Sequence, residues 1–264
     1  MTHTSPALAA KPSASIYRHP GFLAFISARL MAVFATQIQA VVVAWQVYDL
    51  TRDPLALAYV GLAQFLPMLC LLLPAGDLID RFNRKAILAS SWAVGAVCSG
   101  ALWWLSGHSA AGVAGLTGVY AVLVLFGCSR AFSGPALQSL LPQVVPREQL
   151  AAAIAANSML MRAASIGGPL LGGVLYALGG GRLTYALCFV GFALGTVLLS
   201  RVVTLQARNA AAATGTMWER FGAGIRFIRS RPIILGTISL DLFAVLLGGV
   251  VALLPIYASE VLHV

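Results

Sequence analysis

The sequence is poor in charge. Only 9% of its 264 residues are Asp, Glu, Lys or Arg, against about a quarter in soluble domains. Lysine is nearly missing: Lys11 and Lys85 stand beside fifteen arginines. With no lysine after Lys85, a retinal Schiff base in a late helix is excluded. No H-E-x-x-H, G-x-S-x-G or G-x-x-x-x-G-K-[ST] string occurs, so the common signatures of zinc hydrolysis, acyl transfer and nucleotide binding are lacking. His3, His19, His108 and His263 are scattered. Cysteine is scarce as well. Cys70, Cys98, Cys128 and Cys188 fall inside apolar runs without metal-ligand spacing. They read as small apolar side chains among helices and say nothing about redox compartment. Neither an enzyme nor a cofactor or metal site is expected.

What the chain has in excess is apolar surface. It is 59% hydrophobic with a mean hydropathy of +0.88. No soluble fold hides that much, so lipid must be the solvent for much of it. The run from Gly21 to Tyr48 is too long for a signal-peptide core and lacks a small-residue cleavage site, so it reads as a retained first span. Seven spans are expected, at about 21–49, 55–75, 86–106, 112–140, 150–178, 183–203 and 233–258. Pro67, Pro135, Pro169 and Pro255 interrupt spans, where membrane helices tolerate them.

The net charge of +9 is placed at the edges of these runs. That placement suits a bilayer with anionic lipid and not nucleic acid. Counted by side, twelve Lys and Arg lie on one face of the membrane and two, Arg52 and Arg182, on the other. Arg29, Arg130 and Arg162 lie within spans. The bias puts the N-terminus in the cytoplasm, opposite to seven-helix receptors.

The one long polar connection spans 204–232. Ala207 to Thr216 is flexible in composition. Trp218, Phe221, Ile225 and Ile228 recur at helical spacing, which predicts an amphipathic helix in the headgroup layer; a solvated loop is the plainer alternative. The expected organisation is a six-helix bundle over 1–203, a cytoplasmic linker over 204–232, and over 233–264 the first helix of a second bundle. A weak repeat fits this: Ser27-Ala-Arg-Leu-Met-Ala-Val33 aligns with Ser239-Leu-Asp-Leu-Phe-Ala-Val245, pairing Arg29 with Asp241.

Charge is concentrated in Gly76-Asp-Leu-Ile-Asp-Arg-Phe-Asn-Arg-Lys85, between the second and third spans. This string resembles the G-x-L-x-D-R-x-G-R-R/K loop of the major facilitator superfamily. Gly76, Leu78, Asp80, Arg81, Arg84 and Lys85 stand in register, and Asp77 adds a further acid. Asn83 replaces a glycine, and is expected to take a left-handed backbone, which Asn tolerates best after Gly. Arg130-Ala-Phe-Ser-Gly134 is similar to the family's R-x-x-Q-G element, with Ser133 for Gln. Gly168-Pro-Leu-Leu-Gly-Gly173 matches the G-P-x-x-G-G core of its antiporter motif, with Ala164 for the upstream Gly. The run from Arg130 to Gly173 looks most like the group that includes bacterial enterobactin exporters.

The resemblance implies an all-α membrane protein of the bacterial inner membrane. It would be a secondary transporter, coupled to protons and exporting a small organic molecule such as a siderophore or drug. The family has twelve helices, and a chain of seven is expected to be an N-terminal portion. A truncated or regulatory fragment without transport of its own is the alternative.

Four groups of candidate residues follow. Gly76, Asp77, Asp80, Arg81, Arg84 and Lys85 would form a conformational switch. Arg29, Arg130, Arg162 and Asp241 would carry intramembrane charge or a proton relay, since such groups are costly in lipid; a snorkelling Arg130 is the plainer reading. Gly168, Pro169, Gly172 and Gly173 would bend and pack the fifth span. Gln37 and Gln39 would line a substrate path or join helices.

Overall fold

A computed structural model describes residues 20–108 and 113–203, together with 222, 226–227 and 229–248. Helix dominates, and no strand occurs among the described residues. The elements are α1 (Pro20–Thr51), α2 (Pro54–Arg81), α3 (Arg84–His108), α4 (Val113–Val144), a single 3-10 turn (Arg147–Gln149), α5 (Leu150–Ser200) and α6 (Pro232–Gly248). The chain divides after residue 212 into two compact units. The first holds α1 to α5 and the second holds α6.

Helices α1 to α5 are all long and apolar enough to cross a membrane. Even the 28 residues of α2 extend about 42 Å at 1.5 Å per residue, beyond the ~30 Å hydrocarbon layer. Lipid is also the natural cover for α2. Leu62, Phe65, Leu66 and Leu69 are each about half exposed, which would be unfavourable in water over so continuous a face.

Local chemistry sets the turns. Arg52 closes α1 with φ 53, and its N–H donates to the Tyr48 carbonyl at 2.8 Å, the left-handed ending of a helix. Asp53 then caps α2, accepting from the Leu55 N–H at 2.9 Å, and Pro54 supplies a first-turn residue with no N–H to satisfy. So two residues suffice to reverse the chain.

α5 covers the two spans expected at about 150–178 and 183–203. Helical geometry runs from Leu150 to Ser200 except at Gly180, with φ 63 and ψ −170, a conformation essentially confined to glycine. Its two arms, 150–179 and 181–200, run along α1 in opposite directions. In the first arm, Gly168 meets Gln37, and further on the Tyr176 hydroxyl donates to Asp49 at 2.8 Å. In the second arm, Tyr185 donates to Gln46 at 2.6 Å, and further on a Cβ at Gly195 would lie 3.0 Å from the Ala28 carbonyl oxygen. Rising numbers in the first arm meet rising numbers in α1; in the second they meet falling ones.

In the first unit α1 packs chiefly on α5, α3 on α4 and α5, and α2 on α4. One apolar cluster, with Phe22, Phe25, Leu88, Trp92, Phe126 and Phe192, fills the half near the start of α1. Another, with Val42, Val43, Leu102, Leu123 and Tyr185, fills the opposite half. The predicted amphipathic helix lies largely outside the described residues; Gly222, Arg226, Phe227, Arg229 and Ser230 of it are described and helical. The last span is described only as far as Gly248.

Candidate functional site

The charged turn joins α2 to α3 and braces two other helices. Asp77 and Arg81, one turn apart on α2, form an ion pair at 2.9 Å. Lys85 reaches across to the end of α5, where its Nζ donates to the carbonyls of Ser200 and Val202, each at 2.7 Å. Arg84 Nη1 donates to the Ser139 carbonyl near the end of α4 at 3.4 Å. The last four carbonyls of a helix have no partner within it and carry the negative end of its dipole, which suits Lys85 at the end of α5; Ser139 lies further inside α4, which ends at Val144. Asp80 is exposed on the last turn of α2, and Gly76 is half-buried with open space where a Cβ would stand.

Asn83 is not left-handed as the resemblance suggested: Arg52 is the one non-glycine residue with positive φ among the described residues. Asn83 instead starts α3. Its side-chain oxygen accepts from the N–H of Lys85 at 3.0 Å and of Ala86 at 3.4 Å. Asn is among the best residues for that role, which a glycine could fill only by exposing the N–H groups to water.

The start of α1 and the ends of α2, α4 and α5 gather at this basic end, with Arg81, Arg84, Lys85, Arg147 and Arg201. A Cβ at Gly21 would lie 3.4 Å from the Val203 carbonyl and 4.0 Å from Val144. The far end carries Arg52 and Arg182. There the Arg182 guanidinium lies 5.0 Å from the Trp103 ring centre. A cavity of about 300 Å³ opens beside Gln46, Asp49, Ser106, Tyr176 and Arg182.

Arg29, Arg130 and Arg162 sit on α1, α4 and the first arm of α5. Arg29 is 5% exposed, and its Nε makes no hydrogen bond among the described residues. Arg130 and Arg162 are exposed. Packing places the three at one depth. Ser91 donates to the Ser129 carbonyl at 2.6 Å, so Arg130 lies level with the start of the second turn-pair of α3. Gly95 faces Phe192, and Gly195 faces Ala28, which carries the same level across the second arm of α5 to Arg29. On the other side of α1, Gly167 meets Phe34 and Gly168 meets Gln37, which puts Arg162 level with Arg29. The spread is about one helical turn, ~5 Å. Asp241 lies on α6, and its side chain falls outside the described residues.

The glycine motif divides by face. A Cβ at Gly168 would overlap the Cβ of Gln37, and one at Gly172 would lie 3.3 Å from the Ile38 backbone, whereas Gly173 has open space and Pro169 is half-buried. Gln37 is half-buried against Gly168. Gln39 is buried at 1% exposure and accepts from the Ser99 hydroxyl, joining α1 to α3. Three features escaped the sequence reading. Gly127 lets α4 touch α2 so closely that a Cβ would overlap the Gln64 carbonyl and lie 2.8 Å from Pro67 Cγ. Gln46 links Tyr185 to Ser106, donating to it at 3.3 Å. Lys85 spans to α5. The glycine at 127 had a visible signal, an isolated Gly in an apolar helix two helices away from a proline; the other two pair residues too far apart in sequence to be read.

Residues 12–264 match the family described as transmembrane secretion effector, a branch of the major facilitators. The chain belongs to the major facilitator superfamily. It is thus a membrane protein of a transporter family. It is 25% identical over 250 residues to the enterobactin exporter EntS of Shigella dysenteriae serotype 1, covering 92% of this chain and 57% of that protein. It is 27% identical over 177 residues to the EntS of Salmonella choleraesuis, covering 66% and 41%. It is 26% identical over 191 residues to the uncharacterized MFS-type transporter YfiS of Bacillus subtilis, covering 71% and 44%. The chain spans about half the length of these relatives. Within the superfamily, its resemblance is to the enterobactin-exporter group.

Proposed function

We propose that the protein acts in secondary active export of a small organic molecule, driven by proton entry, across the bacterial inner membrane. The observation that carries this reading is the family match over residues 12–264, joined to relatives that are named exporters. The two arms of α5 count as two spans, so the first unit crosses six times and α6 begins a further crossing after a cytoplasmic linker. The N-terminus and the basic end face the cytoplasm, as the bias of Lys and Arg to one side favours. Substrate passes by alternating access between two bundles. The relatives named as enterobactin exporters favour a siderophore, with a drug-like amphiphile as the alternative.

Gly76, Asp77, Asp80, Arg81, Arg84 and Lys85 act as the switch. Their contacts to helix ends are weak enough, at about 1 kcal/mol each or less, to form and break during the cycle. Arg29, Arg130, Arg162 and Asp241 set the electrostatics of the path, with Asp241 as the group that takes up the proton. Gly168, Pro169 and Gly172 let the first arm of α5 lean on α1, with Gln37 beside it. The test is Asp80→Asn in the transporter as the cell makes it. Export is expected to fall at least fivefold at unchanged membrane abundance; unchanged export would remove the switch from the mechanism.

A further inference from the structure

Away from their ends and from the reversal at Gly180, the helices of the first unit carry three arginines, one buried and two exposed, and no acid. Its acids, Asp49, Asp53, Asp77, Asp80 and Glu148, all lie at helix ends or in turns. Arg29, Arg130 and Arg162 share one level, and among the described residues none of them forms an ion pair. Arginine stays charged at any accessible pH, so it cannot escape the cost of that position by releasing a proton. Each such group costs a few kcal/mol in the membrane unless it meets water or an anion. Arg29 is also buried against its neighbours, at 5% exposure.

Each of the two exposed arginines belongs to a stripe of small and polar residues. On the first arm of α5, Ala155, Ser158, Arg162 and Ser165, spaced by three and four, form a narrow stripe. Exposed apolar side chains border it, Met159 and Ile166 on one side and Ile154 and Met161 on the other, and these suit acyl chains. On α4 the exposed Arg130, Gly134 and Gln138 recur every four residues, again without a bulky apolar side chain. Small and polar residues beside an arginine are what a water-filled path requires and what hydrocarbon does not.

We propose that Arg29, Arg130 and Arg162 form an anion-recognition level, and that the exported molecule is an organic anion. Its acidic groups supply a counter-charge that the first unit itself lacks, two guanidinium groups from the exposed stripes meeting it first and Arg29 lying at the same level. Guanidinium groups suit this because each presents a planar fork of donors that matches a carboxylate or phenolate pair. The inference rests on the transport reading for the word "exported"; the anion site itself does not need it.

The experiment measures binding, which stays readable if transport fails. The purified protein is placed in nanodiscs of phosphatidylcholine, and carboxyfluorescein (an anion) is compared with rhodamine 123 (a cation of similar frame) by fluorescence anisotropy. Carboxyfluorescein is expected to bind, and Arg130→Gln and Arg162→Gln are each expected to weaken it at least tenfold, with Arg130→Lys intermediate. Both positions are exposed, so these variants are expected to fold; Arg29→Gln, being buried, is judged only if its thermal unfolding matches the parent. A second arm adds phosphatidylglycerol. If the arginines serve only anionic headgroups, the dye does not bind in phosphatidylcholine and the variants lose bound phosphatidylglycerol instead. That result, a preference for rhodamine 123, or dye binding indifferent to both glutamines would each overturn the proposal. Dye binding as expected, with no export from cells, would retain the anion site and count against the transport reading.

Discussion

The two ends of the first unit are closed by different chemistry. At the basic end, long cations reach exposed or half-buried carbonyls at or near the ends of neighbouring helices: Lys85 to Ser200 and Val202, Arg84 to Ser139. At the far end, side chains bond to one another across helices, and the central bond is buried. Tyr185, fully buried, donates to Gln46; Gln46 donates to Ser106 in a half-buried bond; and at the exposed rim Tyr176 donates to the Asp49 carboxylate. A bond between a solvated cation and a carbonyl exchanges readily with water and is screened by salt. A buried hydroxyl–amide bond leaves an unsatisfied group when it opens. The bonds at the basic end therefore open at lower cost than the buried Tyr185–Gln46 bond at the far end.

Breaking the comparison starts where the effect is largest. Tyr185→Phe removes a hydroxyl from the fully buried pair and strands the Gln46 oxygen. It should cost about 1–2 kcal/mol, read as a lower midpoint of thermal unfolding in detergent, with little dependence on salt. A loss at the basic end of the same size would erase the distinction. Lys85→Met sharpens it from the other side. It keeps the apolar stem and removes two bonds to the end of α5, so stability should fall by about 0.5–1 kcal/mol, and the difference from the parent should shrink at 1 M salt. A salt-independent loss would mean that Lys85 acts through packing.

Much of this was legible in advance. The helices, their order and the charged turn follow from runs of apolar residues punctuated by T-R-D-P and by the Gly76–Lys85 string, because in a bilayer every backbone group must be satisfied within a helix and length alone identifies one. Arg29, Arg130 and Arg162 were legible for the same reason: charge within an apolar run stands out. Asn83 was misread because a family glycine suggests a positive φ, while the same position also accepts a helix-capping side chain; residue type could not separate the two. The tight reversal at Gly180 was expected as a loop, yet the Gly179-Gly180-Gly181 run needs only one residue outside helical geometry. The close approach at Gly127 had only a glycine within an apolar helix to signal it, and the Tyr185–Gln46–Ser106 bonds join elements far apart in sequence that nothing local reports. The common depth of Arg29, Arg130 and Arg162 emerged only from the packing of four helices.

The central claim is that α5 folds back at Gly180, so that the unit crosses the membrane six times with its basic end in the cytoplasm. Single cysteines from Asn83→Cys, Arg182→Cys and Arg201→Cys, each in a background without the four native cysteines, test it with an impermeant maleimide on intact cells. Position 182 should label from outside, while 83 and 201 should label only after the membrane is opened. Labelling of 83 in intact cells, or of 182 and 201 from the same side, would contradict the account.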